Sequence, residues 1–201
     1  MFTAVIAYFV GSIPTGYLLA RAKGIDIRTT GSGNIGATNV FRILGKPAGI
    51  TVLLIDALKG FLPTYCVRYL LHGAAPSEVE YHSMTAGLFA ILGHNYTCWL
   101  RFKGGKGIAT SAGVFVALAP VALGITLVTW IVIFLLSKYV SLASIGAAVI
   151  LPLAVWVSGG SIPMLVLSLV ISLLAIYKHR TNMQRLLAGT ENRFGRKKEA
   201  Q

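Results

Sequence analysis

The sequence predicts an all-α, polytopic membrane protein: a single domain over residues 1–201 with seven transmembrane helices, the N-terminus outside and the C-terminus in the cytoplasm. Three observations predict it. Hydrophobic residues make up 55% of the chain and charged residues 12%, about half the charged fraction of a soluble domain, and the mean hydropathy is +0.74. Apolar runs of membrane-crossing length recur from end to end. Lys and Arg collect in alternate connections between those runs.

The runs lie at about 2–20, 47–70, 83–100, 108–136, 141–157 and 161–177. The first contains Gly11, Ser12, Pro14 and Gly16 and has no basic region ahead of it; Ala20-Arg21-Ala22 resembles a signal-peptidase site only faintly, so the run reads as a retained first span. The second holds Asp56 and Lys59 one helical turn apart, where a mutual ion pair and a functional role are both open. The 108–136 run is either one long span or two short ones broken near Pro120.

Charge decides between them. Residues 21–46 carry Arg21, Lys23, Arg28, Arg42 and Lys46, and residues 101–107 carry Arg101, Lys103 and Lys106. The 71–82 connection has no Lys or Arg, only Glu78 and Glu80. A single span at 108–136 would put Lys138 and the seven basic residues from 178 onward on opposite faces. Two spans place 16 Lys and Arg on the inner face and only Arg68 at the outer one, with Lys59 inside the second span. The two spans are then short, so parts of them are tilted, extended into the loops or broken.

The net charge of +12 would suggest nucleic acid in a soluble protein, but here it follows the topology. Cys66 and Cys98 lie in apolar runs without metal-binding spacing and read as free thiols. No cofactor or metal site is expected.

Three polar clusters fall on the inner face. The first, GSGNIGATNVFRILGK at 31–46, contains G-x-G-x-x-G with Asp56 twenty positions later, the spacing of a dinucleotide-binding loop. The context excludes it: Asp56 lies inside a span, and no βαβ unit can surround the glycines. What remains is either a flexible turn or an anion-binding nest, with Gly33 allowing close backbone approach, Ser32, Asn34, Thr38 and Asn39 supplying hydrogen bonds, and Arg42 a cationic fork. The second cluster, RFKGGKGIAT at 101–110, fails as a Walker A loop, because Gly107 rather than Ser or Thr follows Lys106 and Leu100 stands where the first glycine is required. Gly105, Lys106 and Gly107 still suit a phosphate if Ile108 opens a helix, while Arg101 and Lys103 suit topology and anionic head groups. The third is divided between SLAS, with Ser141 and Ser144, and KHRTNMQRLLAGTE, in which His179 and Asn182 share a helical face and Met183, Leu186 and Leu187 form an interfacial stripe. Arg193, Arg196, Lys197 and Lys198 read as lipid anchors. His94 reads as a buried, hydrogen-bonded histidine; it does not open an H-x4-D acyltransferase pair, since Trp99 occupies the fifth position after it. These residues by themselves point to phosphate binding at a membrane surface and divide evenly between an enzyme and a transporter of a small phosphorylated anion.

GSGNIGATN with Arg42, GHNY followed by FKGGKGIAT, SLAS, and KHRTNMQRLLAGTE occur in this order, and over nearly the whole chain the sequence resembles the bacterial acyl-phosphate:glycerol-3-phosphate acyltransferases. Tyr96-Thr97 departs from the Phe-Pro of many members. The resemblance implies a multi-pass protein of the bacterial inner (plasma) membrane with its active site on the cytoplasmic face. It implies transfer of a fatty acyl group from a long-chain acyl phosphate, not from acyl-CoA or acyl-carrier protein, to the 1-hydroxyl of sn-glycerol 3-phosphate. The products are lysophosphatidic acid and phosphate, the first acylation of phospholipid synthesis. It further implies that Ser32, Arg42, Lys106, Ser144 and Asn182 contact the substrate phosphates and reacting groups, with His179 supporting them. The expected partners are those two substrates and membrane lipid, with neither nucleic acid nor nucleotide.

Overall fold

A computed structural model describes residues 2–195, all of whose regular elements are helices. The chain divides into two compact units, one ending at Pro120 and the other beginning at Val121.

The first unit begins with a broken span. Helix α1 (Phe2–Ser12) stops where Pro14 withholds an N–H, and α2 (Thr15–Arg21) resumes. Side chains from elsewhere bond to the carbonyls at the break. Thr97 Oγ1 donates to the Ser12 carbonyl at 2.6 Å, and Lys59 Nζ donates to that of Ile13 at 2.9 Å. A loop leads to α3 (Ala37–Leu44) and then to α4 (Lys46–Leu70), whose 25 residues span about 37 Å. Helix α5 (Pro76–Asn95), a 3-10 turn at Cys98–Leu100 and α6 (Ile108–Leu118) complete the unit. Small residues let these helices approach closely: a Cβ at Gly11 of α1 would overlap the Ala90 backbone of α5, and one at Gly113 of α6 would overlap the Ala57 carbonyl of α4. An apolar cluster of Ala20, Ile27, Ile35, Val40, Val52 and Leu100 packs the inner end.

The second unit holds α7 (Pro120–Ser137), α8 (Val140–Val157), α9 (Ile162–Lys178) and α10 (Arg180–Leu187). Ser161 caps α9, its Oγ accepting from the Met164 N–H at 3.2 Å. Most of α7 is exposed, including Leu127, Val128, Leu135 and Leu136, as a helix in lipid requires.

The 108–136 run is two helices, with α6 ending at Leu118 and α7 beginning at Pro120; α7 is long enough to cross a membrane and α6 is not. By length and composition four segments can cross a membrane: Phe2–Arg21, Lys46–Leu70, Pro120–Ser137 and Val140–Val157. A fifth counts if α9 and α10, bent by 54°, form one span. Helix α5 is diluted by Glu78, Glu80, His82 and its terminal His94 and Asn95. Helix α6, at 11 residues, is only about 16 Å long. The expected third span, 83–100, stops being helical at Asn95, because the Gly105 and Gly104 N–H groups fold back onto the His94 and Asn95 carbonyls at 3.0 and 3.2 Å. Arg196, Lys197 and Lys198, expected to anchor on lipid heads, lie outside the described residues.

Candidate active site

The first cationic segment is built around one side chain. Asn39, in the first turn of α3, is buried. Its Nδ2 lies 3.3, 3.0 and 2.9 Å from the carbonyls of Ile27, Thr30 and Asn34, and its Oδ1 accepts from the Ser32 N–H at 2.9 Å. Asn34 Oδ1 accepts from the Gly36 N–H at 2.8 Å. Gly31 and Gly33 take φ of +64° and +70°, the left-handed conformation that glycine permits. The carboxamides of Asn39 and Asn34, expected on a ligand, thus shape the loop that presents Ser32 and Thr38, both half-buried. Arg28 is committed elsewhere: its guanidinium forks onto Asp26 at 2.9 and 2.7 Å and holds that carboxyl at about 2. Arg42 stands half-buried in the last turn of α3.

The second segment straps onto the end of α5. After the turn, the Phe102 N–H bonds the Thr97 carbonyl at 2.9 Å, and Gly104 and Gly105 follow on Asn95 and His94. Gly107 has φ +81°, and α6 opens at Ile108, which meets the condition on which this cluster suits a phosphate. Lys106 stands half-buried between Gly105 and Gly107, both buried, at the positive end of that helix. Leu100 shares its apolar cluster with Ile35 and Val40, so one core anchors both cationic segments.

Under this strap lies the charge pair read from the second span. Lys59 Nζ sits 2.8 Å from Asp56 Oδ1, and His94 Nδ1 faces the same oxygen at 3.8 Å. All three side chains are buried.

In the second unit, the carboxylate that ends the KHRTNMQRLLAGTE stretch holds the third cluster together. Glu191 is buried; its Oε1 accepts from Ser141 Oγ at 2.9 Å and from Asn182 Nδ2 at 2.8 Å, and its Oε2 from Arg185 Nε at 2.7 Å. Burial pushes its carboxyl up, but the hydrogen bonds from Asn182, Arg185 and Ser141 and the Arg185 charge outweigh that and keep it below its ordinary value. Ser144, one turn beyond Ser141, donates to the Val140 carbonyl at 2.8 Å and accepts from Trp130 Nε1 at 3.2 Å. His179 occupies the bend between α9 and α10, with Nδ1 2.8 Å from the Ala175 carbonyl. The signal for Glu191 was present in the sequence: it is the only acidic residue among the basic ones of the 178–195 segment.

The chain is similar to known proteins over most of its length. The family model for glycerol-3-phosphate acyltransferase matches residues 1–189. The glycerol-3-phosphate acyltransferase of Geobacter metallireducens is 53% identical over 188 residues, 94% of each chain. That of Geotalea daltonii is 48% identical over 190 residues, 94% of this chain and 95% of its own. Among solved structures, PlsY (YgiH), described as an integral membrane glycerol 3-phosphate acyltransferase, superposes in its glycerol 3-phosphate form with a TM-score of 0.89 at 43% identity, covering 96% of this chain and 94% of that one. Its lysophosphatidic acid form gives a TM-score of 0.86 at 42% identity with the same coverage.

Proposed function

The chain belongs to the glycerol-3-phosphate acyltransferase family, an integral membrane acyltransferase, and from that premise we propose that it acylates the 1-hydroxyl of sn-glycerol 3-phosphate from a long-chain acyl phosphate. The hydroxyl oxygen attacks the acyl carbonyl, the bond from that carbon to the phosphate oxygen breaks, and the proton leaves with the phosphate. Lysophosphatidic acid and inorganic phosphate result. The observation that carries the reading is Lys106 between two buried glycines at the N-terminus of α6, in a chain that superposes on the glycerol 3-phosphate form of PlsY.

The chemistry asks little of the protein beyond placement. An acyl phosphate is a mixed anhydride with a good leaving group, so no acyl-enzyme is needed. Two anions must be held together, and alignment of this kind is worth roughly 7–11 kcal/mol. In this reading Arg42 and Lys106 neutralise phosphate charge, including the charge that grows on the leaving group. Ser32, Ser144 and Asn182 orient the reacting groups, and a donor aimed at the developing oxyanion adds about 2.7–4 kcal/mol. His179 supports them, and a phosphate oxygen of the substrate takes the proton. Gly33, Asn34, Thr38, Asn39, Gly105, Gly107 and Ser141 shape the segments that carry these groups.

We place all seven apolar helical stretches in the bacterial inner membrane, N-terminus outside, with the chemistry at the cytoplasmic face where the basic residues gather. The short α6 then leaves its N-terminus, and Lys106 with it, below the membrane surface and inside protein, where irregular backbone is tolerated.

The test is a transfer assay with labelled glycerol 3-phosphate and either palmitoyl phosphate or palmitoyl-CoA. Labelled lysophosphatidic acid from the acyl phosphate alone is expected. Product from the CoA ester at a comparable rate overturns the donor assignment, and product from neither overturns the activity.

A further inference from the structure

We propose that His94, backed by the buried Asp56–Lys59 pair, is a positioning residue that fixes the 103–107 segment and so sets the place of Lys106. The proposal rests on the reading of Lys106 as a phosphate-neutralising group.

Three observations meet at this point. First, the His94 ring fills the space behind the strap: a Cβ built on Gly105 would run into His94 Nε2. The backbone bond from Gly105 to the His94 carbonyl then holds residue against residue on the peptide side as well. Second, the other edge of the ring faces Asp56 Oδ1 at 3.8 Å, and that oxygen is held by Lys59 Nζ at 2.8 Å. Third, Lys59 continues to the Ile13 carbonyl at the α1–α2 break, and the adjacent Gly60 packs against the Thr110 backbone in the first turn of α6. One turn of α4 therefore carries the ion pair that backs the histidine and also seats the helix that Lys106 precedes.

Stability alone is a poor reason for such a cluster. Charges inside a membrane protein are costly, and a buried ion pair can often be replaced by apolar side chains without loss. A pair that reaches the Ile13 carbonyl and, through His94, the strap has a register to keep. If the ring were only filler, its removal would loosen the fold; if it positions the strap, removal shifts Lys106 relative to the phosphate while the helices remain.

The reciprocal fit of His94 and Gly105 makes this testable by a double-mutant cycle. Purified wild type, His94→Ala, Gly105→Ala and the double variant are compared for KM of glycerol 3-phosphate, kcat and melting temperature. His94→Ala is expected to raise KM by about tenfold, with a smaller change in kcat. Gly105→Ala clashes with the ring and is expected to raise KM at least as far. In the double variant the new methyl enters the vacated space, so its KM is expected to fall below that of Gly105→Ala alone. His94→Gln, which keeps bulk and a polar end, is expected to recover part of the loss. As a second approach, Asp56→Asn/Lys59→Met removes both charges together and is expected to insert, fold and share the raised KM. An unchanged KM in folded His94→Ala, or strictly additive effects in the cycle, overturns the proposal while leaving the acyltransferase reading intact. A wild type that transfers from no donor overturns that reading instead, and the melting temperatures of the same four proteins then decide whether the two positions are coupled.

Discussion

Asn182 Nδ2 donates to Glu191 Oε1 at 2.8 Å, so an amide assigned to substrate is oriented by a carboxylate nine residues further on. Removing the carboxylate strands three donors. Glu191→Ala takes this acceptor from Ser141, Asn182 and Arg185, and stranding the two buried donors, Ser141 and Asn182, costs about 1–3 kcal/mol each. Thermal unfolding in detergent is expected to show a clear drop in Tm, together with loss of transfer. Glu191→Gln keeps an oxygen for Ser141 and Asn182 but turns an N–H toward Arg185, and is expected to fall between the two. A fully active, fully stable Glu191→Ala would show that the network does not matter.

The same carboxyl makes the second unit sensitive to acid. Its native pKa lies below its ordinary 4.5. Its contribution to stability is therefore complete above the unfolded value and is lost as the pH falls through the native one. Tm measured from pH 7 downward is expected to decline below about pH 4.5, and the decline is expected to be shallower in Glu191→Gln. Identical acid profiles for the two proteins would remove Glu191 as the cause.

Lys106→Ala and Arg42→Ala are expected to lose transfer by at least a hundredfold, the scale of one charge-stabilising donor, while inserting and folding normally. Arg42→Lys is expected to remain impaired, because a point charge does not replace a planar fork. Near-normal rates in both alanine variants would show that these cations serve topology alone.

Asn39→Ala tests whether the first segment depends on its central carboxamide. The substitution frees the carbonyls of Ile27, Thr30 and Asn34 and the Ser32 N–H. Hydrogen exchange over residues 27–36 is expected to accelerate, with transfer falling through the misplacement of Ser32. Unchanged exchange with lost transfer would return Asn39 to the ligand.

Much of this molecule could be read from its residues. The helical class, the break near Pro120 and the opening of α6 at Ile108 follow from apolar runs, charge and glycine, which are local signals. The end of α5 at Asn95 could not be read so, since 96–100 is as apolar as a span and its conformation is set by Gly104 and Gly105 returning from further along the chain. The same holds for the site. Arg42 and Lys106 stand out by type and setting. For Asn39, composition does not tell which way the carboxamide points, and the structure turns it onto the loop's own backbone. Glu191 stands out by its charge among basic residues, but its three partners come together only when α10 folds back toward the start of α8. The pairing of Asp56 with Lys59 was visible from their spacing, whereas the third member, His94, was not.

A ribosome that has delivered α1 and α2 but nothing beyond them has not yet delivered a finished crossing. The side-chain donors to the Ser12 and Ile13 carbonyls, Thr97 and Lys59, emerge 85 and 46 residues later, and until then the Ile13 carbonyl has only the Thr15 N–H, at 3.0 Å. Polar backbone left open in hydrocarbon costs several kcal/mol. The opening segment is therefore expected to settle only after the middle of the chain has been synthesised, with later helices completing the first.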